Sequence, residues 1–450
     1  MIRRPPRSTL DRSSAASDVY KRQLKDELSA PSDYHSIDNV SPTVVLSPIS
    51  NEHISESLRK ASEYDLKVCP IGGATRLAIG NKPTQYDVGL TLNKLDKVID
   101  YKPSDLSITV QAGITLEQLQ KHLQKNNQFL PISTPLAQRS TIGGILAIGT
   151  SGSLTWLNGT LRDLVTGMKT VHPDGVISKS GGQVMKNVSG YEMSRLHIGG
   201  LGTIGVISEV SLKVMPKPEN EVSVMTTFAS QTDAFNASMS IFRSKINKLC
   251  LSYINPGALH HLNIKSIKPG HLIAVRLFGK NLSLKRCIDE VDSLLKQHNP
   301  KTVSQIRGQE QGDVWKKISD FGWNSDTRPY LSMRISLPPN TVGDILGSLE
   351  STTITKGLMP GLSTQIGHGT ILFHVYDVNN NTDQKKFEEI VSDVRRLVRQ
   401  RRGTAVVEQG PEFIKEDFGV WDGFEQNEKT FKSLKSNYDP LNILNPGRLF

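Results

Sequence analysis

Alternating apolar and polar positions, interrupted by glycine-rich turns, mark the first half of the chain. Residues 206–214 read VISEVSLKV, which alternates as a half-buried strand does. The 25 residues before them, 181–205, contain seven glycines. Further upstream, Val44–Leu46 and Val68–Ile71 are short apolar runs that predict strands. Apolar residues at helical spacing predict a helix between those two strands, with Asn51 as its N-cap.

Residues 219–402 have a different rhythm, with fewer glycines and longer segments of helical or strand period. This cadence predicts an antiparallel sheet backed by helices, and so an α+β domain. The predicted strands are Val222–Phe228, Lys248–Ile254, Leu272–Leu277, Tyr330–Leu337 and Ile371–Tyr376. The predicted helices are Thr232–Ile246, Leu282–Gln297, Thr341–Leu349 and Asp383–Gln400.

Length and composition indicate an ordinary globular protein. A chain of 450 residues predicts two or three domains. No apolar run approaches the roughly 20 residues of a membrane helix, so we expect at most peripheral membrane association. The three cysteines are far apart and lack ligand spacing, which predicts packed thiols in a reducing compartment.

The first 23 residues do not fit this picture. They are basic and polar, lack the apolar core of a secretory signal, and resemble translated adaptor sequence. We therefore expect residues 1–23 to be a non-native leader outside the fold. Their six Lys/Arg and two Asp contribute +4 to the net charge of +10, which leaves +6 for the rest. A charge this mild, without a nucleic-acid-binding motif, predicts no nucleic-acid partner.

Two glycine-rich loops are candidates for binding a phosphate. The first, 72–76 (GGATR), follows the predicted strand Val68–Ile71, and the second contains TIGG at 141–144. Backbone N–H groups in such loops can converge on phosphate, assisted by a hydroxyl or a guanidinium. We expect a Cβ at Gly73 or Gly143 to occupy space that a ligand needs. The residues alone leave tight turns and close helix contacts open, and the G-x-G-x-x-G fingerprint is absent.

The wording of these loops and of two later segments closely resembles the vanillyl-alcohol-oxidase/p-cresol-methylhydroxylase (PCMH) flavoprotein family. The later segments are GGQVMKNVSGYEMSRL with GTIGVISEVSLKVMPKP, within 181–218, and YDPLNILNPGRL at 438–449. The first of them is similar to the FAD-binding subunits of bacterial glycolate oxidases. The resemblance implies an α+β fold: a two-subdomain PCMH-type FAD-binding domain (38–218), an α+β cap with an antiparallel sheet (219–405), and a C-terminal return to the FAD domain (406–450).

FAD is the cofactor that the resemblance implies. Covalent family members attach the flavin through a His in the first loop or a Cys or His near the second. This chain has Thr75 and Arg76 in the first and TSG at 150–152 near the second, so we predict non-covalent FAD. The residues predicted to contact FAD are Ile71, Gly72, Gly73, Ala74, Thr75, Arg76, Pro135, Thr141, Gly143, Gly144, Gly152, Gly202, Gly205 and Ile207.

The candidate catalytic residues are His368, His374 and Arg334. Related D-2-hydroxyacid dehydrogenases carry G-H-x-G-D-G-N-x-H and a later E-H-G, whereas this chain reads GHGTILFH at 367–374 and EQG at 408–410. On a straight strand the two histidines would be about 20 Å apart, and Gln409 is a poor metal ligand. We therefore predict no metal, with one histidine near the flavin and the other packed. Arg334 or Arg328 is expected to hold a substrate carboxylate.

Three functions remain open. The favoured hypothesis is an FAD-binding subunit of a glycolate-oxidase-like complex that acts on a small 2-hydroxy acid. Its expected partners are a larger catalytic homologue containing FAD and metal, and an iron–sulfur subunit. In that case the chain alone would not oxidise the acid, and it would be cytoplasmic or peripheral on the inner membrane. The alternatives are a self-sufficient FAD-dependent dehydrogenase or oxidase of a 2-hydroxy acid, sugar acid or lactone, and a non-catalytic scaffold.

Overall fold

The computed structural model describes residues 28–150, 152–154, 159–183, 192–324, 328–377, 383–425 and 427–450. The predicted leader, 1–23, and residues 184–191 of the glycine-rich stretch lie outside the described residues.

The strands of the described residues are, in chain order, β1 (Leu28–Ser29), β2 (Val44–Leu46), β3 (Val68–Ile71), β4 (Val88–Thr91), β5 (Val98–Lys102), β6 (Ser107–Gln111), β7 (Gln128–Phe129), β8 (Val165–Val171), β9 (Ile177–Gly181), β10 (Val206–Lys213), β11 (Met215–Pro216), β12 (Asn220–Phe228), β13 (Lys248–Ile254), β14 (His271–Gly279), β15 (Thr302–Ile306), β16 (Leu331–Ser336), β17 (Met359–Gln365), β18 (Thr370–Tyr376) and β19 (Thr404–Gln409). The α-helices are α1 (Asn51–Tyr64), α2 (Leu116–Gln124), α3 (Ile142–Ile148), α4 (Leu161–Leu164), α5 (Ser194–His197), α6 (Gln231–Arg243), α7 (Pro256–Leu262), α8 (Asn281–Lys296), α9 (Gly308–Asp320), α10 (Gly343–Ile354), α11 (Gln384–Arg399), α12 (Glu412–Phe418) and α13 (Glu428–Tyr438).

The first sheet has the order β1-β2-β4-β3, in which β4 pairs in parallel with both β2 and β3. The predicted helix is present as α1, but its N-cap is Ser50 and not Asn51, because the Ser50 hydroxyl accepts a hydrogen bond from the His53 N–H. Ile54 and Leu58 of α1 are buried in the core of this sheet. The parallel arrangement brings the loop after β3 to the edge of the core.

The second sheet is antiparallel, with the order β5-β6-β10-β8-β9. The strand predicted at 206–214 lies at its centre as β10. Apolar side chains of α2 and α3 pack into the core of this sheet. Thr141 caps α3 by accepting a hydrogen bond from the Gly144 N–H at 3.3 Å, which fixes the second glycine loop at the start of that helix.

The third sheet has eight antiparallel strands in the order β15-β12-β14-β13-β17-β18-β16-β19. All five strands and all four helices predicted for residues 219–402 are present, with ends shifted by a few residues. The antiparallel α+β prediction is therefore confirmed. Strands β15, β17 and β19 and helices α7 and α9 were not predicted. In β17, Pro360 and Gly361 weaken the strand signal.

The end of the chain packs against the first sheet. Val68 of β3 forms a parallel bridge with Leu444, and its carbonyl accepts a hydrogen bond from the Asn445 N–H. The buried Lys435 ammonium donates to the carbonyls of Thr203 and Leu444. Within the described part of the chain, no helix is long and apolar enough to cross a membrane.

Candidate functional site

Three neighbouring cavities extend from the first glycine loop toward the third sheet. The small cavity, of about 380 Å³, and the loop cavity, of about 620 Å³, share Gly72, Thr141 and Gly144. The loop cavity and the sheet cavity, of about 1120 Å³, share Arg76. These volumes include the open solvent at each mouth. Their shared lining residues place the three cavities next to one another, and we call the row that they form the elongated site.

Most of the predicted FAD-contacting residues line this elongated site. The small cavity is lined by Ile71, Gly72, Thr141, Gly143, Gly144, Gly202 and Ile207. Gly72, Gly73, Ala74, Thr75, Arg76, Thr141 and Gly144 line the loop cavity. The sheet cavity is lined by Arg76, Pro135 and Gly152, together with Arg334 and His368. Gly205 is not among these lining residues, and a Cβ there would lie 2.9 Å from Cε1 of His197.

The two glycine loops pack directly against each other. A Cβ on Gly73 would lie 1.7 Å from the Arg139 carbonyl oxygen, and a Cβ on Gly143 would lie 2.8 Å from Cβ of Ala112. We expected glycine to be needed because a Cβ would occupy space that a ligand needs, and that reason was wrong. Both positions need glycine because protein atoms fill that space. The Thr75 and Ser140 hydroxyls, 2.9 Å apart, add a polar contact between the loops.

Arg76 is a buried cation between the loop and sheet cavities. Its guanidinium donates hydrogen bonds to the hydroxyls of Thr150 and, at 3.1 Å, Thr134. Its Nε has no hydrogen-bond partner, and no carboxylate among the described residues forms an ion pair with it. Burial lowers the pKa of Arg76 to about 10, so the group stays protonated at neutral pH. The Glu408 carboxylate acts on Arg76 electrostatically without forming an ion pair with it, and a buried cation of this kind fits an anionic or electron-rich ligand such as FAD.

Arg334 and Glu408 form an ion pair at the sheet cavity. Arg334 lies on β16 and Glu408 on the neighbouring β19, and Nε of the arginine donates to the carboxylate at 2.7 Å. The terminal nitrogens of Arg334 have no hydrogen-bond partner among the described residues. Glu408 therefore orients the guanidinium and leaves its outer edge for an anion. Arg328, the alternative carboxylate clamp, lines a neighbouring groove, which shares Ala74 and Thr75 with the loop cavity and Trp323 with the sheet cavity.

The two candidate histidines have different surroundings. His368 lies in a 3₁₀ turn, Ile366–His368, before β18, and not on a strand as the spacing argument assumed. It lines the sheet cavity, and burial lowers its pKa. His374 is on β18 but is 1% exposed and does not line the cavity. Its Nδ1 is 2.8 Å from the Ser332 hydroxyl, and burial lowers its pKa to about 3.

The loop after α9 covers the positions where the related dehydrogenases have metal ligands. The Phe321 ring meets the His374 ring edge to face at 4.6 Å, and the Gln409 amide donates to the Gly322 carbonyl at 2.9 Å. Among the described residues, no group of three His, Cys, Asp or Glu could hold a metal. The predicted thiols Cys69, Cys250 and Cys287 are free and buried.

Sequence reasoning missed Glu408 as the partner of Arg334, and it missed four polar residues of the cavity wall. Glu408 stands in the EQG segment, in which the metal-ligand argument concerned only the glutamine. The four wall residues are Ser252, Ser363, Gln365 and Thr370. Ser363 and Gln365 lie on β17, an unpredicted strand, so no pattern assigned them to a face.

Comparison with known proteins identifies the family. Residues 42–181 match the family described as FAD binding domain, and residues 217–449 match the family described as FAD linked oxidases, C-terminal domain. The chain is 24% identical over 432 residues to glycolate oxidase subunit GlcD of Bacillus subtilis, covering 91% of this chain and 89% of that protein. It is 26% identical over 451 residues to the mitochondrial D-lactate dehydrogenase [cytochrome] of Kluyveromyces lactis, covering 95% and 77%.

A structural comparison shows the same fold in p-cresol methylhydroxylase with substrate bound. The TM-score is 0.75 at 15% identity, and the match covers 98% of this chain and 97% of that one. The family matches and the fold together define an FAD-dependent oxidoreductase with a PCMH-type fold. The family match spans more than half of the chain. This protein belongs to the FAD-linked oxidases, and its cofactor is FAD.

Proposed function

We propose that the chain oxidises a 2-hydroxy acid in the sheet cavity and works as the FAD-binding subunit of a glycolate-oxidase-like complex. The observation that carries this proposal is the meeting of Arg76, the Arg334–Glu408 pair and His368 around one cavity beside the glycine loops. Relatives named as a glycolate oxidase subunit and as D-lactate dehydrogenases support the substrate class.

We propose that FAD occupies the elongated site, held by loop 72–76 and by the start of α3, with Arg76 beside it. Residues 38–218 would form its domain, 219–405 the cap, and 406–450 the segment that returns to it. FAD, when bound, supplies the two-electron acceptor for the C2–H of the substrate. Because no Cys or His lies among residues 72–76 or 150–152, we propose that it is dissociable.

The substrate's carboxylate pairs with the free edge of Arg334, which Glu408 keeps oriented. His368 accepts the proton of the C2 hydroxyl. Burial lowers the pKa of His368, which favours the neutral imidazole, the form that can accept a proton. The cations Arg76 and Arg334 stabilise negative charge that develops on the C2 oxygen, which is the work that a metal does in related enzymes.

Electrons then leave for partner subunits, which we propose to be a larger catalytic homologue and an iron–sulfur protein. We earlier expected the chain alone to be inactive because it lacks a metal. With a base and two cations at one cavity, we now propose that substrate oxidation takes place within this chain. The same observation favours a second candidate, a self-sufficient dehydrogenase that needs no partner.

The test is anaerobic mixing of the FAD-loaded protein with a panel of 2-hydroxy acids, followed by flavin absorbance. We expect at least one acid to bleach the flavin, and His368→Asn and Arg334→Met to slow bleaching by about 10²-fold or more. Arg396→Met is the matched control, because this exposed arginine of α11 pairs with Asp393 and lines none of these cavities. A wild-type protein that retains FAD but is bleached by no 2-hydroxy acid would refute the proposal.

Turnover separates the two candidates. If the acid bleaches the flavin of the protein alone, but the flavin is reoxidised only when partner subunits are added, the protein is a subunit of a complex. Multiple turnovers with oxygen or a soluble dye and no partner would establish the self-sufficient dehydrogenase.

A further inference from the structure

A row of polar side chains crosses the wall of the sheet cavity. Pairing in the third sheet sets Ser252 of β13 opposite Gln365 of β17, and Gln365 opposite Thr370 of β18. Ser363 lies two residues before Gln365, and therefore on the same face of β17. All four residues line the sheet cavity. The register thus places three hydroxyls and one amide on neighbouring strands facing one space.

These four side chains have no hydrogen-bond partner within the part of the chain that the structure describes. Ser252 is 1% exposed and Ser363 is 5% exposed. Polar groups that face a cavity and have no protein partner normally bind water or a ligand. A wall facing only the carbon chain of a small acid would have no use for four of them.

The distance from Arg334 determines how long the ligand must be. Arg334 is on β16, and β18 lies between it and β17. With about 4.8 Å between neighbouring strands, Gln365 and Ser363 lie about 10 Å from the Arg334 strand and Ser252 about 14 Å. From the first to the last carbon, glycolate extends about 1.5 Å and lactate about 2.5 Å, whereas a six-carbon chain extends about 6 Å. The side chains that line the cavity are long enough to close the remaining distance to a six-carbon acid, but not to glycolate or lactate.

We propose that the substrate is a polyhydroxylated 2-hydroxy acid of the aldonic type, whose carboxylate lies at Arg334 and whose distal hydroxyls bind Thr370, Gln365, Ser363 and Ser252. This inference rests on the proposed function, because it places the acid in the same cavity. It differs from that function in assigning specificity to the hydroxyls of the chain beyond C2. A site built to bind hydroxyls discriminates strongly against an analogue that lacks them.

The test compares acids of equal length. FAD-loaded protein is mixed anaerobically with six-carbon aldonates of different configuration, with 2-hydroxyhexanoate, and with glycolate and D-lactate. The rate of flavin bleaching divided by the dissociation constant is measured for each acid. We expect at least one aldonate to exceed 2-hydroxyhexanoate by about 100-fold or more, although both have the same carboxylate, C2 hydroxyl and chain length.

Variants locate the effect. Gln365→Leu and Ser252→Ala should lower the value for the best aldonate by about tenfold each, which corresponds to about 1.4 kcal/mol, and leave 2-hydroxyhexanoate within twofold. Thr364→Val is the matched control, since Thr364 lies between Ser363 and Gln365 and points to the other face of β17. Flavin content and melting temperature are checked for every variant.

Bleaching that is as fast with 2-hydroxyhexanoate, glycolate or lactate as with any aldonate would overturn this inference and leave the proposed function standing. Equal loss for both six-carbon acids in Gln365→Leu would also overturn it. If no acid bleaches the flavin, the proposed function fails, and the inference fails with it.

Discussion

Arg448 and Lys415 hold the chain immediately after the first glycine loop. Arg448 donates hydrogen bonds to the carbonyls of Leu77 at 2.6 Å, Ile79 at 2.5 Å and Asn81 at 2.5 Å. Lys415 donates to the carbonyls of Ala78 at 2.6 Å and Gly80 at 3.3 Å. Five consecutive carbonyls therefore accept hydrogen bonds from two cations of the C-terminal segment.

Replacing Arg448 with Met should loosen this segment and weaken FAD binding. Three hydrogen bonds from a charged donor, at about 1.5 kcal/mol each, amount to about 4.5 kcal/mol. Lys415 still pairs with Asp38 in the variant, so no buried carboxylate loses its last partner. In the variant, FAD binding must reorder the loosened loop, and the free energy that this takes weakens the affinity. A cost of about 1.4 kcal/mol raises the dissociation constant of FAD tenfold. We expect at least that change.

The assay is titration of apoprotein with FAD, followed by the quenching of flavin fluorescence, with melting temperature measured in parallel. Lys432→Met on α13 is the matched control, because this exposed lysine makes only an i,i+4 pair with Glu428 and should cost about 0.5 kcal/mol or less. A variant Arg448→Met that melts at a lower temperature yet binds FAD with wild-type affinity would refute the reasoning, since the cation would then hold only the C-terminus.

Other predictions follow from the loops, the cofactor and the buried histidines. Gly73→Val should abolish FAD retention, measured as the absorbance ratio of flavin to protein, because its Cβ falls 1.7 Å from the Arg139 carbonyl; normal retention would contradict the loop packing. Acid precipitation should leave FAD in the supernatant, and yellow colour in the washed pellet would disprove dissociable binding. Burial lowers the pKa of His197 to about 4 and that of His374 to about 3, so their stabilising effect is complete above pH 6.5 and is lost as the pH falls toward 4. The melting temperature should therefore drop over that pH range, and it should drop less steeply in His197→Leu. Parallel curves of melting temperature against pH for the two proteins would contradict this prediction.

The sequence was most informative where local pattern decides structure. A strand precedes the segment GGATR, and a helix begins within TIGG. The alternating residues 206–214 contain a strand, as predicted. In these segments the chain geometry depends on nearby glycines and on hydrophobic period, both of which are local.

The rest depended on contacts between residues far apart in the chain. Arg334 meets Glu408 across a separation of 74 residues, and the hydroxyl row exists only because β13, β17 and β18 pair in one register. His374 has the same parity on β18 as Thr370, so alternation alone would turn it to the cavity side of the sheet. It is buried because Phe321, from another element, covers it. Periodicity gives the face of a strand but not what covers that face.

The charges around the sheet cavity also limit the acid that it accepts. Arg334 and Glu408 balance each other, burial favours the neutral form of His368 by lowering its pKa, and Arg76 supplies one unpaired positive charge. With Arg76 beside FAD, as we propose, Arg334 is the cation left for the substrate, so a second substrate carboxylate would be buried without a cation at a cost of several kcal/mol. The wall beyond Arg334 offers hydroxyls and an amide and no further cation, since Ser363, Gln365, Thr370 and Ser252 are all uncharged. The substrate that we propose, a monocarboxylate with neutral polar groups along its chain, fits both this charge and the hydrogen-bonding capacity of the cavity better than a 2-hydroxy dicarboxylate does.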